Sequence, residues 1–311
     1  MARLFGLIGN RADLSGQVID LERDVLRVPA GMLAPGAVSW GIGFYQGSEV
    51  LLRRRPHDER GSIDLGGLAR DLRADLILGH VRAATVGGAR TENTHPFRYR
   101  EWLFAHTGSI SRYAEIKPRL LESIPEFLRK NIRGDTDSEV LFHVVLSFLH
   151  DAGRLQEGGA DGKTMAAALR SAASLIDHLV SEEGGEPGFH VNALLTDGER
   201  LAALHRDGAP SDDGTVTPTR MAYRYVHGRA ALDALVADDA LRKVRLTDPG
   251  AVRFSLIASD FASDQHVAAP SAQPYGGSLG VERHAGNAWT AVPPRAIVVL
   301  TRDGEPSVET L

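Results

Sequence analysis

Short apolar runs punctuated by glycine occupy both ends of this chain, and stretches of helical periodicity occupy its middle. That order constrains the fold more than any other feature, because strands and helices can bury their apolar faces against one another in only a few layered ways. Residues 4–8 form the first strand-like run, stopped by Gly9-Asn10. Residues 38–45 and 50–53 are two more, joined through Gln46-Gly47-Ser48 in the manner of a hairpin. Further strands are predicted over 76–84 and 102–106, with a helix before them over 65–72. Apolar residues recur at near-helical spacing over 113–132, despite Pro118 and Pro125. The helix expected over 137–150 has a marked start: Thr136 and Glu139 make a capping-box pattern, and Asp137 adds negative charge to the first turn. Another helix is expected over 164–181, with Met165, Leu169, Ala172, Leu175, Ile176 and Leu179 on one stripe. Strands then return at 191–195, 201–205, 221–226, 254–258 and 296–300, the first two joined by the hairpin signal Asp197-Gly198. Residues 207–217 and 259–287 read as polar, Gly/Pro-rich loops, so the stretch 207–311 is loop-rich. With no repeat and no long polar linker, the expectation is a single domain over 1–311: α/β in the broad sense, an α+β fold with mixed or antiparallel sheets covered by helices.

Thirty-five Lys and Arg against forty Asp and Glu give a net charge of −5, which offers no electrostatic case for nucleic acid or an anionic membrane. No run reaches the ~18 apolar residues of a membrane helix. Arg3, Arg11 and Asp13 stand where a signal peptide would be apolar, so a cytoplasmic location is expected. Cysteine is absent, which excludes disulfides, thiolate metal sites and a Cys nucleophile. No His pair brackets a carboxylate at helical spacing, and no cofactor or metal is expected. Gly158 to Thr164 imitates a phosphate loop but has Glu157 where the first Gly belongs. Gly276 to Gly280, with His284 nearby, imitates a nucleophile elbow without the strand and helix that motif needs.

Five segments combine polar groups with backbone signals that core packing does not require. In Gly79-His-Val-Arg-Ala-Ala-Thr85 a strand ends in Arg82, whose planar fork suits a carboxylate, and Thr85, whose hydroxyl can add a hydrogen bond. Asn93-Thr-His-Pro-Phe97 is a turn carrying His95. Phe104-Ala-His-Thr-Gly-Ser109 delivers His106, Thr107 and the Gly108 N–H to a sharp turn. Gly134-Asp-Thr-Asp-Ser-Glu139 puts Asp137 at a helix start, suited to an ammonium group. The fifth segment is the N-terminus itself, Met1-Ala-Arg-Leu-Phe-Gly6, running straight into a strand. Singly, these residues read as surface ion pairs, a helix-start charge and satisfied core histidines. Together, a carboxylate fork and an ammonium acceptor make a receptor for an α-amino acid.

The order and spacing of these motifs, with Trp40-Gly-Ile-Gly43, resemble the class II glutamine amidotransferases, most closely the compact stand-alone type that includes the γ-glutamyl amidohydrolases of ergothioneine biosynthesis. The likeness is strongest over 1–142 and continues more weakly over 192–206 and 257–293. It implies the four-layer αββα sandwich of N-terminal-nucleophile hydrolases. It also implies a Cys at position 2 that attacks a glutamine side-chain amide, with its own α-amine as base. By the same likeness Arg82 and Thr85 hold the α-carboxylate, Asp137 pairs with the α-ammonium, His95 belongs to the binding site, and positions 107 and 108 form the oxyanion hole.

Two positions depart from that pattern. Position 2 is Ala, with no nucleophilic atom, and position 107 is Thr, whose hydroxyl cannot place an N–H donor where the family's Asn amide would. Both changes together read as natural divergence rather than an engineered single replacement. The leading expectation is a protein that keeps a pocket for glutamine or a γ-glutamyl group but lacks standard amidase chemistry, alone or beside a separate ammonia-using or γ-glutamyl-pathway enzyme. The other reading is an enzyme, either inactivated at position 2 or attacking through Thr107, Ser109 or an activated water.

Overall fold

The computed structural model describes residues 3–26, 38–47, 49–59, 63–83, 88–156, 159–186, 190–206, 220–228, 251–259, 267–268 and 289–311. In chain order the N-terminal part comprises β1 (Arg3–Gly9), α1 (Ser15–Leu21), α2 (Arg23–Leu26), β2 (Val38–Gln46), β3 (Glu49–Asp58), α3 (Leu65–Ala69) and β4 (Leu76–Ala83). A 3-10 turn at Thr91–Asn93 leads to β5 (Phe97–Tyr99) and β6 (Trp102–Ser109). The helices α4 (Tyr113–Ser123), α5 (Glu126–Arg129), α6 (Asp137–Asp151) and α7 (Gly162–Glu182) follow. The chain then returns to strands: β7 (His190–Thr196), β8 (Arg200–Arg206), β9 (Met221–His227), β10 (Arg253–Ser259), β11 (Val267–Ala268), β12 (Trp289–Ala291), β13 (Ala296–Thr301) and β14 (Ser307–Thr310).

The strands form two sheets, in the orders β11-β12-β9-β10-β1-β4-β2-β3 and β14-β13-β8-β7-β6-β5. Pairing is antiparallel except between β11 and β12. Because side chains alternate across a strand, each sheet has two faces to bury. Leu4 and Ile8 of β1 and Leu76 and Leu78 of β4 meet Leu103, Ala105, Leu194, Ala203 and Val298 of the second sheet in a layer between the sheets. Phe5 and Leu7 point the other way and pack with Val18, Ile19, Leu65 and Ala69 of α1 and α3. On the far side of the second sheet, Trp102, Phe104 and Ala193 pack under α4, α6 and α7, with Phe104 and Phe142 stacked 5.2 Å apart. The result is the expected αββα sandwich. Among the described residues no helix is long and apolar enough to cross a membrane.

Local chemistry explains the element boundaries. Asp161 caps α7 by accepting from the Thr164 N–H at 2.7 Å. The helical periodicity of 113–132 is divided at Pro125, because the residue before a proline is pushed out of the helical region and Ile124 is extended. At α6 the capping box is only half realised. Thr136 Oγ1 accepts from the Glu139 N–H, but the Glu139 carboxylate turns outward to the N–H groups of Arg133 and Gly134. Strand β11 falls inside the expected loop 259–287, most of which, like 207–217, lies outside the described residues.

Candidate active site

The site assembles where the two sheets and the start of α6 meet. In β4, His80 stands opposite Leu4 and Gly41, so it and Arg82, two residues on, share the inter-sheet face with Leu78. Arg82 is only 7% exposed. Burial lowers its pKa, while Asp137 and then Asp135 favour its charge. An arginine remains protonated under such shifts, so the site carries a buried cation.

Asp137, 6% exposed, is placed by α6. Its Oδ2 accepts from the Ile110 N–H at 3.2 Å and its Oδ1 from the Ser138 N–H at 2.9 Å. The Ser138 hydroxyl lies 2.9 Å from His106 Nδ1, which ties the end of β6 to the helix start. The turn carrying His95 is fastened from both sides. Asn93 Oδ1 accepts from the Asp135 N–H, and Arg54 of β3 donates to the Pro96 carbonyl. His95 packs 4.2 Å from the His80 ring, centroid to centroid, and 4.5 Å from Phe97.

Gly41 makes that close approach possible. A Cβ there would sit 2.1 Å from the His95 carbonyl oxygen, a main-chain atom that cannot rotate aside. Gly41→Ala is therefore expected to destabilise the protein by about 1–3 kcal/mol. An unchanged denaturant midpoint would show that the turn does not press on β2.

The three central histidines are held neutral. Burial is the largest cause for each, pushing His80 down to about 3, His106 to about 4 and His95 well below the usual value. His106 and Arg82 add repulsion at His80, and Asp137 partly offsets the effect at His106. Among the described residues no group of His, Asp or Glu is arranged to hold a metal ion.

Thr107 stands directly opposite Asn192 of β7, and Asn192 opposite His205 of β8. The three form a buried polar row across the inner face of the second sheet, with His205 Nδ1 2.6 Å from Asn192 Oδ1. Gly108 follows with φ +129°, and a Cβ there would lie 2.2 Å from the His190 carbonyl oxygen, so this bend needs glycine.

The structure thus places Arg82, His95 and Asp137 within one another's reach, and puts Thr107 and Gly108 directly after His106, which Ser138 ties to the start of α6. Ala2 and Thr85 lie outside the described residues, as do Gly158 and the 276–284 stretch. The sequence reading gave no role to His80, although its two-residue spacing from Arg82 in a strand signals a shared face. Nor did it single out Asn192 and His205, whose placement depends on strand register.

Comparison with known proteins identifies the family. The family described as "Glutamine amidotransferases class-II" matches residues 1–248. A probable glutamine amidotransferase, DUG3, of Saccharomyces cerevisiae is 29% identical over 77% of this chain and 60% of its own length. The γ-glutamyl-hercynylcysteine sulfoxide hydrolase of Mycobacterium tuberculosis is 33% identical over 65% of this chain and 76% of its own. The chain spans 62% of a further relative, the putative glutamine amidotransferase YafJ of Escherichia coli. Among solved structures, a glutamine aminotransferase class-II domain protein from Silicibacter pomeroyi superposes with a TM-score of 0.55 at 17% identity, covering 99% of this chain and 98% of that one.

Proposed function

Since this chain belongs to the class II glutamine amidotransferases, we propose that it holds the amino-acid end of glutamine or a γ-glutamyl compound between Arg82 and Asp137, and that it lacks the standard amidase reaction. The observation carrying this reading is the convergence of a buried guanidinium from one sheet with a buried carboxylate over the other, each in the other's field. Such a pair, offered to one ligand, matches an α-carboxylate and an α-ammonium. The γ-glutamyl part follows from the mycobacterial relative, whose name specifies such a substrate.

The loss of amidase chemistry rests on the residues at 2 and 107. Ala2 supplies no nucleophile, and Thr107 no amide donor for a developing oxyanion. Ser109 is exposed and makes no hydrogen bond to a base among the described residues, so it is a poor substitute nucleophile. In this reading the protein binds such a ligand as a sensor or as a non-catalytic partner of another enzyme.

Calorimetry tests it. Glutamine should bind at millimolar concentration or below, and Arg82→Gln should weaken binding roughly 10- to 100-fold, the worth of a charge-assisted contact. No binding of glutamine or a γ-glutamyl dipeptide to the folded protein would refute the reading.

A further inference from the structure

A separate cavity opens beside the first two turns of α6. At about 100° per residue, Glu139 lies some 200° around the helix from Asp137. It and His143, one turn on, therefore look away from the Arg82 site. Both line a cavity of about 210 Å³, together with Arg54 of β3, Arg98 of β5 and Arg133 of the loop before α6.

The charges in this cavity are unbalanced. Among the described residues none of the three arginines forms an ion pair. Arg54 donates to the Pro96 carbonyl, with its buried Nε unbonded, and Arg98 donates to the carbonyls of Arg100 and Val50. Two carboxylates also line the space and both favour the Arg54 charge: Glu92, exposed as Arg98 and Arg133 are, and Glu139, which also accepts from the N–H groups of Arg133 at 2.9 Å and Gly134 at 2.6 Å. Three guanidinium groups against two carboxylates leave the cavity with an excess of positive charge, which suits an anion.

His143 adds a second requirement. Its Nδ1 lies 2.8 Å from the Glu139 carbonyl oxygen, which can only accept, so Nδ1 carries the proton. Burial lowers the pKa of the ring and keeps it neutral, leaving a lone pair on Nε2. The residue is 3% exposed and Nε2 has no partner in the protein, an expensive state for a buried acceptor. A ligand that gives Nε2 a hydrogen would relieve it.

We propose that this cavity binds a small anion that also carries an O–H or N–H donor, as a short hydroxy acid or a monoprotonated phosphate does. Arg54 and Arg133 hold the anionic oxygens, and His143 Nε2 accepts the donor. The site is independent of the Arg82–Asp137 pair and of the function proposed for it.

The test titrates the full chain carrying Arg82→Gln, so that the first site is silenced, with inorganic phosphate, glycolate and acetate at pH 7. Glycolate or phosphate should bind in the millimolar range, and which of them binds identifies the anionic group. Acetate has no donor and should bind about tenfold more weakly than glycolate. Arg133→Gln, at an exposed position where folding is not at stake, should weaken binding about tenfold, and in the otherwise unaltered chain it should leave glutamine binding unchanged. His143→Leu, if folded, should abolish the preference for glycolate over acetate. Absence of binding by both glycolate and phosphate at 10 mM, on the order of a weak ligand's dissociation constant, would overturn the proposal. So would binding that Arg133→Gln does not affect, or, where glycolate binds, equal affinity for acetate.

Discussion

Acidification from pH 6.5 to pH 5 should strip this protein of much of its stability, before ordinary carboxylates begin to titrate. The cause is the packing of His80, His95 and His106 at the junction of the sheets. All three have folded-state pKa values below the value of about 6.5 that an unfolded histidine has. The unfolded chain therefore takes up their protons first. Stability is fully present above pH 6.5 and is lost as the pH falls toward the folded values near 3 and 4 for His80 and His106. By pH 5 the loss is roughly 2 kcal/mol each for His80 and His106, and by pH 4 roughly 3 kcal/mol each, with His95 acting in the same direction.

The surrounding charges do not cancel this effect. Arg82 and His106 face His80; His80, His106, Arg82 and Arg54 face His95; Asp137 and His190 face His106. Of these only Asp137 favours a protonated ring. Glu139 works in the opposite direction, since burial raises its pKa and the folded chain binds that proton first. Denaturant midpoints at pH 7.0, 6.0 and 5.0 decide the matter. Total stabilities of about 5–15 kcal/mol make losses of this size conspicuous. A midpoint that stays constant down to pH 5 would mean the rings are not buried as a neutral cluster.

The same cluster shows what could be read from the sequence and what could not. Short continuous apolar runs in β1, β4 and β7, and the stripe along α7, report burial directly, so these elements were legible to within a residue or two. Helix α1 was not, because its seven residues make two turns and its N-cap Leu14 offers no side-chain hydrogen bond. In the site, Arg82 and Asp137 were legible as chemistry because each sits at the end of an element within a recognisable motif. The pairing of His80 with His95, and the row Thr107–Asn192–His205, arise from contacts between segments remote in sequence. Strand register and sheet packing set such contacts; the Asp197-Gly198 turn marks the pairing of Asn192 with His205, but nothing local marks the pairings between strands far apart in the chain.

Restoring the missing groups should create amidase activity in steps. As it stands, the chain is expected to show no glutaminase turnover, because Ala2 offers no atom to form a covalent intermediate. Ala2→Cys supplies a thiol, and the family likeness places its α-amine as the base once Met1 is removed. The reaction then meets the second defect. As the thiolate attacks, negative charge grows on the amide oxygen, and the likeness assigns its stabilisation to the Gly108 N–H and the side chain at 107. A threonine hydroxyl is shorter than an asparagine amide. The Thr107 side chain is also turned to the inner layer beside Asn192, which leaves one donor short. Removal of one oxyanion donor costs about 10²- to 10³-fold in kcat, so Ala2→Cys alone should be slower than Ala2→Cys with Thr107→Asn by about that factor. KM should change little, since Arg82 and Asp137 are untouched. Equal rates for the single and double variants would show that Thr107 is no handicap, and that a neighbouring group such as the Asn192 amide fills the role. Turnover by the unaltered chain would overturn the loss-of-function reading itself and direct the search to a nucleophile other than the residue at position 2.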